Sequence, residues 1–381
     1  MKKIALIRSA SSAVSKSQYN IQEIGLANEL VKMNMLVDVF LISDKDKTYS
    51  EHLGYDGRVT VYWLKGIKIP GQQGYYPDLK KILESNHYDL IQALDDSQLT
   101  TVWVSRYCKK HHIKFVLWQG MYENYPENYK RVIQYFFDWT LLRILRKNTK
   151  YCIAKTSSAK QYIENKRFAK TVVIPVALEL SNFKDSLEID YRKKFNIPSR
   201  YKVLLYVGKV EDRRKPLFCM EVYQKIKTDN SECCLVYVGR GPMLDETKEY
   251  VKNHKILDVY FIDYIQQNEL PSLYAMSDLF ILPTRYEIFG MVLMESMYFG
   301  TPVVTYKAAG PLDIIENGVD GIILENFDVS NWSNKIQEFL FKDLTKKMGN
   351  YGHKKISLNY IWPVIAHKYY TQYLEIINSS H

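Results

Sequence analysis

Short apolar runs alternate with longer amphipathic stretches along the whole chain, and no other feature limits its fold as much. Runs at 4–7, 36–42, 59–64, 90–93, 114–117, 151–154 and 172–174 form one series, with helix-like stretches such as 21–32 between several of them. A second series follows at 203–207, 233–238, 259–262, 279–282, 303–305 and 321–324. Strands at this spacing, separated by helical patterns, predict parallel βα units. Two series in 381 residues predict two doubly wound α/β domains. The polar stretch 179–200 marks the boundary, giving one domain over 1–185, rejoined by a closing helix at 360–381, and a second over 186–359. The halves are expected to face each other across a cleft, with ligands at the carboxyl ends of the strands.

Composition narrows the class. Apolar residues make up 46% and charged residues 25%, the balance of a globular chain with a real core, not of a disordered or fibrous one. The five cysteines include no CxxC pair, which points away from a zinc ribbon or disulfide framework and toward a reducing, cytoplasmic setting. Cys233 and Cys234 read as small buried hydrophobes. No window reaches the length of a spanning helix, and Arg8 interrupts the first apolar run too early for a signal peptide. The net charge of +10 is concentrated: the segment 130–170 holds eleven Lys or Arg against Asp138 and Glu164. Such a patch suits nucleic acid, anionic lipid or phosphorylated substrates.

The densest motif is PTRYEIFGMVLMESMYFGTPVV, residues 283–304. Gly290 allows a close turn, and a helix beginning just after it would present its positive end to a diphosphate. Glu287 would then lie on the preceding loop and Glu295 inside the helix. Eight helical residues span about 12 Å, too far for the roughly 5 Å carboxylate pair of a retaining hydrolase, so the two acids are expected to do different work.

The block 259–324 as a whole, with "LPSLYAMSDLF", the E-x7-E pair, "GTPVV", Gly310-Pro311 and "NGVDGIIL", resembles the donor half of family-4 retaining glycosyltransferases of the GT-B fold. "VLLYVGKVEDRRKP" at 203–216 and "LVYVGRGPM" at 235–243 fall where that family has its phosphate loop and next strand–loop. The resemblance implies a nucleotide-sugar donor, UDP- or GDP-linked, as a substrate, with no cofactor and no metal. It implies that Glu295 holds the ribose hydroxyls and that Glu287 acts beside the donor sugar. It further implies that Phe289, Gly290, Met291 and Val292 form a turn meeting sugar or phosphate. Lys209 and Arg214 would hold the diphosphate and make it a better leaving group. The expected reaction is transfer of the sugar to an acceptor hydroxyl with retention, in the synthesis of cell-surface polysaccharide or glycoconjugate, with a sugar or lipid-linked glycan as acceptor. A nucleotide-sugar epimerase and a non-catalytic nucleic-acid-binding protein are the alternatives. Acids in the site repel phosphate backbones and argue against nucleic acid.

The first half departs from the family. The usual glycine pair after the first strand is replaced by the loop 9–20, and a common histidine by Gln119-Gly120. Gln119 and Asp96, after later strands, are the acceptor-side candidates. Asp44-Lys45-Asp46 reads as a solvated turn and Gly239-Arg240-Gly241 as an incomplete dinucleotide fingerprint. Residues 131–147 predict one helix with Ile133, Phe137, Leu141 and Ile144 along one stripe. Tyr135, Trp139, Arg143 and Arg146 share another face, a pattern suited to a lipid headgroup boundary or to a packed surface helix. An anionic membrane surface is thus an expected partner of the 130–170 segment, at the cytoplasmic face.

Overall fold

A computed structural model describes the chain except for residues 10–20, 55–56, 70–72, 126–127, 169, 185, 187, 343 and 380–381. Most of the loop 9–20 therefore lies outside the described residues. The chain divides into two units, Met1–Glu179 with Trp362–His381, and Leu180–Ile361.

Among the described residues unit 1 contains ten strands: β1 (Lys3–Ile7), β2 (Leu36–Ile42), β3 (Tyr49–Leu53), β4 (Val59–Leu64), β5 (Ile67–Ile69), β6 (Gln73–Tyr75), β7 (Leu90–Leu94), β8 (Lys114–Gln119), β9 (Tyr151–Ala154) and β10 (Thr171–Val173). Eight form one sheet in the order β10-β9-β8-β7-β1-β2-β4-β3, parallel except for the antiparallel edge strand β3. Among the described residues β5 and β6 pair only with each other. The central strands are buried over nearly their whole length, which is why they read as mostly apolar runs, with Gln92 of β7 the polar residue inside one. β3, β5 and β6 carry polar residues or are three residues long, and the apolar pattern missed them. The helix Trp362–Asn378 belongs to this unit. Trp118 donates its indole N–H to the Tyr369 hydroxyl at 2.9 Å, and Tyr373 donates to Gln92 at 2.7 Å. A Cβ on Gly25 would lie 2.1 Å from Trp362 Nε1, so only glycine admits the indole there.

Unit 2 has six parallel strands: β11 (Lys202–Val207), β12 (Cys233–Val238), β13 (Val259–Ile262), β14 (Leu279–Leu282), β15 (Val303–Tyr306) and β16 (Gly321–Leu324), in the order β13-β12-β11-β14-β15-β16. The division between units falls a few residues before 185 because Phe183 packs on Tyr298 and Phe299, at ring-centroid distances of 6.0 and 5.1 Å. Tyr360 likewise stays with unit 2, donating to the Asp313 carbonyl at 3.1 Å. The helix expected over 131–147 is two helices, Tyr129–Thr140 and Leu142–Asn148. Thr140 returns its hydroxyl to the Phe136 carbonyl at 2.8 Å, a back-bond that bends helices.

Candidate functional site

In unit 2 the sheet order reverses direction between β11 and β14, which lie side by side. Loops leaving the carboxyl ends of two such neighbours run to opposite faces of the sheet and leave room for a ligand. After β11 the chain runs through Gly208 and Lys209 into a short turn of 3₁₀ helix, Asp212–Arg214. Lys215, at φ 47°, then swings it into the helix Pro216–Asp229. After β14 it runs through Glu287 to Gly290, at φ +91°, which caps the helix Met291–Tyr298. The helix ladder begins with Leu293 and Met294, both donating to the Gly290 carbonyl. The positive end of the helix therefore opens at Met291 and Val292.

The two loops are tied by Arg213. Its Nη1 donates to the Tyr286 carbonyl at 2.6 Å, its Nε to Glu211 at 2.5 Å, and its own carbonyl accepts from the Arg285 amide at 2.8 Å. Glu211 also holds Lys209 at 3.0 Å, whose side chain is 63% exposed. Burial works to raise the Glu211 carboxyl, but hydrogen bonds from Lys209 and Arg213 hold it below the usual carboxylate range.

Arg214 is different. Its side chain is only 11% exposed, and one nitrogen, Nη2, reaches Glu287 at 3.3 Å. Its Nε and Nη1 are buried with no hydrogen-bond partner among the described residues. A Cβ on Gly208 would fall 2.4 Å from Nη1, so glycine there makes the channel through which the guanidinium passes. Beneath it, Tyr206 and Tyr237 stack at 4.1 Å; burial drives the Tyr206 phenol well up while Arg214 pulls it partly back. Buried, unsatisfied N–H donors on a cation are costly to the unliganded protein. Beside the positive end of a helix they make a receptor for an anion.

The expected residues of this site thus sit on adjoining loops: Lys209, Arg214, Glu287, Phe289, Gly290, Met291 and Val292. Phe289 is buried against Tyr360, and the Gly310 amide donates to the Glu287 carbonyl at 3.1 Å. Glu295 is fully buried within the helix and accepts from the Tyr274 hydroxyl at 2.9 Å. Sequence reasoning gave Arg213 no separate task and overlooked Glu211 and Tyr274. An acid two residues before a basic run was the available signal for the first.

In unit 1 the corresponding reversal lies between β1 and β7. Asp96 and Gln119 are both fully buried and bonded to each other, the Gln119 amide nitrogen donating to the Asp96 carboxylate at 3.0 Å and its oxygen accepting from the Asp96 amide. Asp96 also pairs with Lys166 at 2.6 Å. Their polar atoms therefore brace the strand ends instead of being presented outward. The neighbouring Asp95, at φ 56°, accepts from the Gly120 amide at 2.8 Å. Burial raises its carboxyl and lowers the Lys155 ammonium that stands 3.9 Å over the Trp118 ring. Asp46 of the D-x-D pairs with Lys65 at 2.8 Å.

Residues 188–355 match the family described as glycosyl transferases group 1. Among curated relatives, N-acetyl-alpha-D-glucosaminyl L-malate synthase of Bacillus anthracis is 27% identical over 188 residues, 49% of this chain and 49% of that protein. D-inositol 3-phosphate glycosyltransferase of Corynebacterium diphtheriae is 26% identical over 184 residues, 46% of this chain and 43% of that one. The chain spans about half the length of the curated relatives it matches. Among solved structures, sucrose-phosphate synthase of Thermosynechococcus elongatus superposes with a TM-score of 0.77 at 19% identity, covering 100% of both chains. HepE of Anabaena, in complex with UDP, gives 0.76 at 15% identity, covering 98% of this chain and 100% of that one. The chain has the GT-B fold of two Rossmann-like domains, and its match to the glycosyl transferases group 1 family lies within the second of them.

Proposed function

We propose that the protein is a glycosyltransferase that takes a sugar from a UDP- or GDP-linked donor and attaches it to an acceptor hydroxyl with retention of configuration. One observation carries the reading: Arg214, on the loop pair at the sheet's reversal point, keeps Nε and Nη1 buried with no partner among the described residues while its Nη2 meets Glu287 at 3.3 Å. The donor's diphosphate satisfies those donors, with Lys209 at the mouth and the positive end of the helix Met291–Tyr298 completing the cradle. Glu287, held by Arg214, hydrogen-bonds the donor sugar. Glu295 takes the ribose hydroxyls in exchange for its bond to Tyr274. The acceptor oxygen attacks the anomeric carbon on the face from which the diphosphate departs. The carbon–oxygen bond to the diphosphate breaks, its electron pair stays on the leaving oxygen, and that oxygen receives the acceptor's proton. Arg214 and Lys209 supply the counter-charge, so no divalent metal is needed. The names of the relatives support sugar transfer, and HepE, also solved with UDP-glucose, supports the donor class. A sugar or lipid-linked glycan of a cell-surface polymer is the acceptor class we assign.

The test is calorimetry with UDP, GDP and ADP, followed by product analysis with the sugar form of whichever binds, with and without EDTA. Binding of one nucleotide, and release of it only when a sugar acceptor is added, supports transfer. Conversion of the donor sugar without acceptor would mean an epimerase, and failure of all three nucleotides to bind would end the proposal.

A further inference from the structure

We propose that the helix Tyr129–Thr140 of unit 1, with the basic helix after it, is a docking surface for an anionic lipid bilayer. The helix exposes Tyr129, Val132, Tyr135, Phe136 and Trp139, from 64% for Tyr129 to 75% for Tyr135. At 100° per residue these five side chains fall within an arc of about 120°, while Gln134 and Phe137 turn inward and are buried. Phe136 and Trp139 pack side by side, with ring centroids 6.0 Å apart, and give the exposed face an aromatic ridge. Soluble surfaces rarely carry such a patch without a use for it. Tyr and Trp are the residues favoured where apolar and aqueous phases meet.

The charge around the ridge selects the partner. Of the eleven cations between 130 and 170, several are committed inside the unit. Lys166 lies 2.6 Å from Asp96 and 3.2 Å from Asp138, Lys160 faces Glu164 at 3.8 Å, and Lys155 is over the Trp118 ring. Among the described residues, Arg143, Arg146, Lys147 and Lys150 have no carboxylate partner. The first three extend the ridge along the helix Leu142–Asn148, and Lys150 follows it. Lys130, Arg131, Arg167 and Lys170 likewise have no ion pair with a carboxylate among the described residues, but of these only Lys130 and Arg131 lie on the helix that carries the ridge, so the attachment surface centres on 129–150. A second copy of the chain would bring like charges together, whereas anionic headgroups neutralise them while the aromatic ridge enters the interface. Among the described residues no helix is long and apolar enough to cross a membrane, so the attachment is peripheral. This inference rests on unit 1 alone and can fail without touching the donor site.

Trp139 provides its own reporter. Trp63, Trp118, Trp332 and Trp362 are fully buried and Trp103 is partly packed in the core, leaving Trp139, 74% exposed, as the tryptophan open to lipid. Full-length protein is mixed with phosphatidylcholine vesicles with or without phosphatidylglycerol, and both co-sedimentation and tryptophan emission are read. Expected are pelleting and a blue shift with the anionic vesicles, both falling at about 0.5 M salt, where the Debye length is near 4 Å. The triple variant Arg143→Glu, Arg146→Glu, Lys147→Glu should lose partitioning by at least about a hundredfold, since each cation contributes roughly fivefold. Trp139→Phe should still pellet but lose the blue shift. Circular dichroism confirms that each variant is folded. Wild-type protein that stays in the supernatant with anionic vesicles at low salt overturns the proposal. So does equal binding to neutral vesicles, or a concentration-dependent dimer that both the triple variant and Phe136→Ser abolish.

Discussion

The orphaned donors of Arg214 allow a measurement that separates a binding residue from a structural one. Consider Arg214→Met, which keeps an unbranched apolar stem and deletes the guanidinium. In the unliganded protein the change removes two buried N–H groups without partners, each costing about 1–3 kcal/mol where they stand. It also removes the 3.3 Å contact with Glu287, but Arg213 Nη1 remains 3.7 Å from that carboxylate and keeps it from being stranded. The two effects oppose each other, so stability should move by no more than about 2 kcal/mol, in either direction. With a nucleoside diphosphate bound, the same two donors form charged hydrogen bonds worth about 1.5–3 kcal/mol each. Losing both raises Kd by roughly two to four orders of magnitude, at 1.4 kcal/mol per tenfold. Urea denaturation and titration calorimetry on the same preparation read both quantities. A folded variant that binds the nucleotide within threefold of wild type refutes the assignment of Arg214 to the diphosphate. A loss of stability above about 4 kcal/mol with little effect on binding would make the arginine part of the core.

Four further outcomes follow from the structure. Glu295→Gln keeps the shape of a fully buried side chain bonded to Tyr274, so the fold should survive while nucleoside diphosphate affinity drops about tenfold or more, measured by calorimetry; unchanged affinity places the ribose elsewhere. Gly208→Ala puts a methyl 2.4 Å from Arg214 Nη1 and should weaken nucleotide binding at nearly unchanged melting temperature. Gly239→Ala, whose Cβ would sit 1.8 Å from the Gly208 carbonyl at φ +150°, should lower the melting temperature as well. In unit 1, Glu23 grips Arg8 through contacts of 2.9 and 2.5 Å. Burial pushes its carboxyl up, but Arg8 more than reverses this and holds it below the ordinary value. A depressed carboxyl stabilises above its unfolded pKa of about 4.3 and loses that contribution as pH falls through the lower folded value. Glu23→Gln should therefore cost about 3 kcal/mol at neutral pH, and the gap to wild type should shrink below about pH 4 in urea melts.

The strands that organise both units were legible because they are buried on both faces. β12 and β14 are apolar from end to end, as is β11 after its first residue, Lys202, and nothing but a covered parallel strand needs that. The same logic hid β3, which lies at the sheet's edge and alternates half-buried with exposed residues as Tyr49, Ser50, Glu51, His52 and Leu53. The turn at Gly290 was legible because a left-handed residue followed by an apolar helix has a sequence signature; φ there is +91°. The break at Leu141 was not, since it depends on a threonine hydroxyl turning back on the helix, and Thr140 is equally able to point outward.

Within the site, composition marks where charge collects but not how it is divided. Lys209, Arg213 and Arg214 look interchangeable as a basic run, yet each has a different electrostatic position. Glu211 draws Lys209 and Arg213 to itself, at 3.0 and 2.5 Å, and Arg213 is used up fastening one loop to the other. Only then can Arg214 be buried with two donors unanswered, because its neighbours have already met the local carboxylate and carbonyl groups. A lysine in place of Arg213 has no planar fork with which to join Glu211 and Tyr286 at once. The loops would then be free to separate, and Arg214 could turn to solvent and satisfy its own donors. The affinity of the site for an anion thus depends on a residue that need never touch it, and Arg213→Lys should weaken nucleotide binding although it substitutes no group assigned to the ligand.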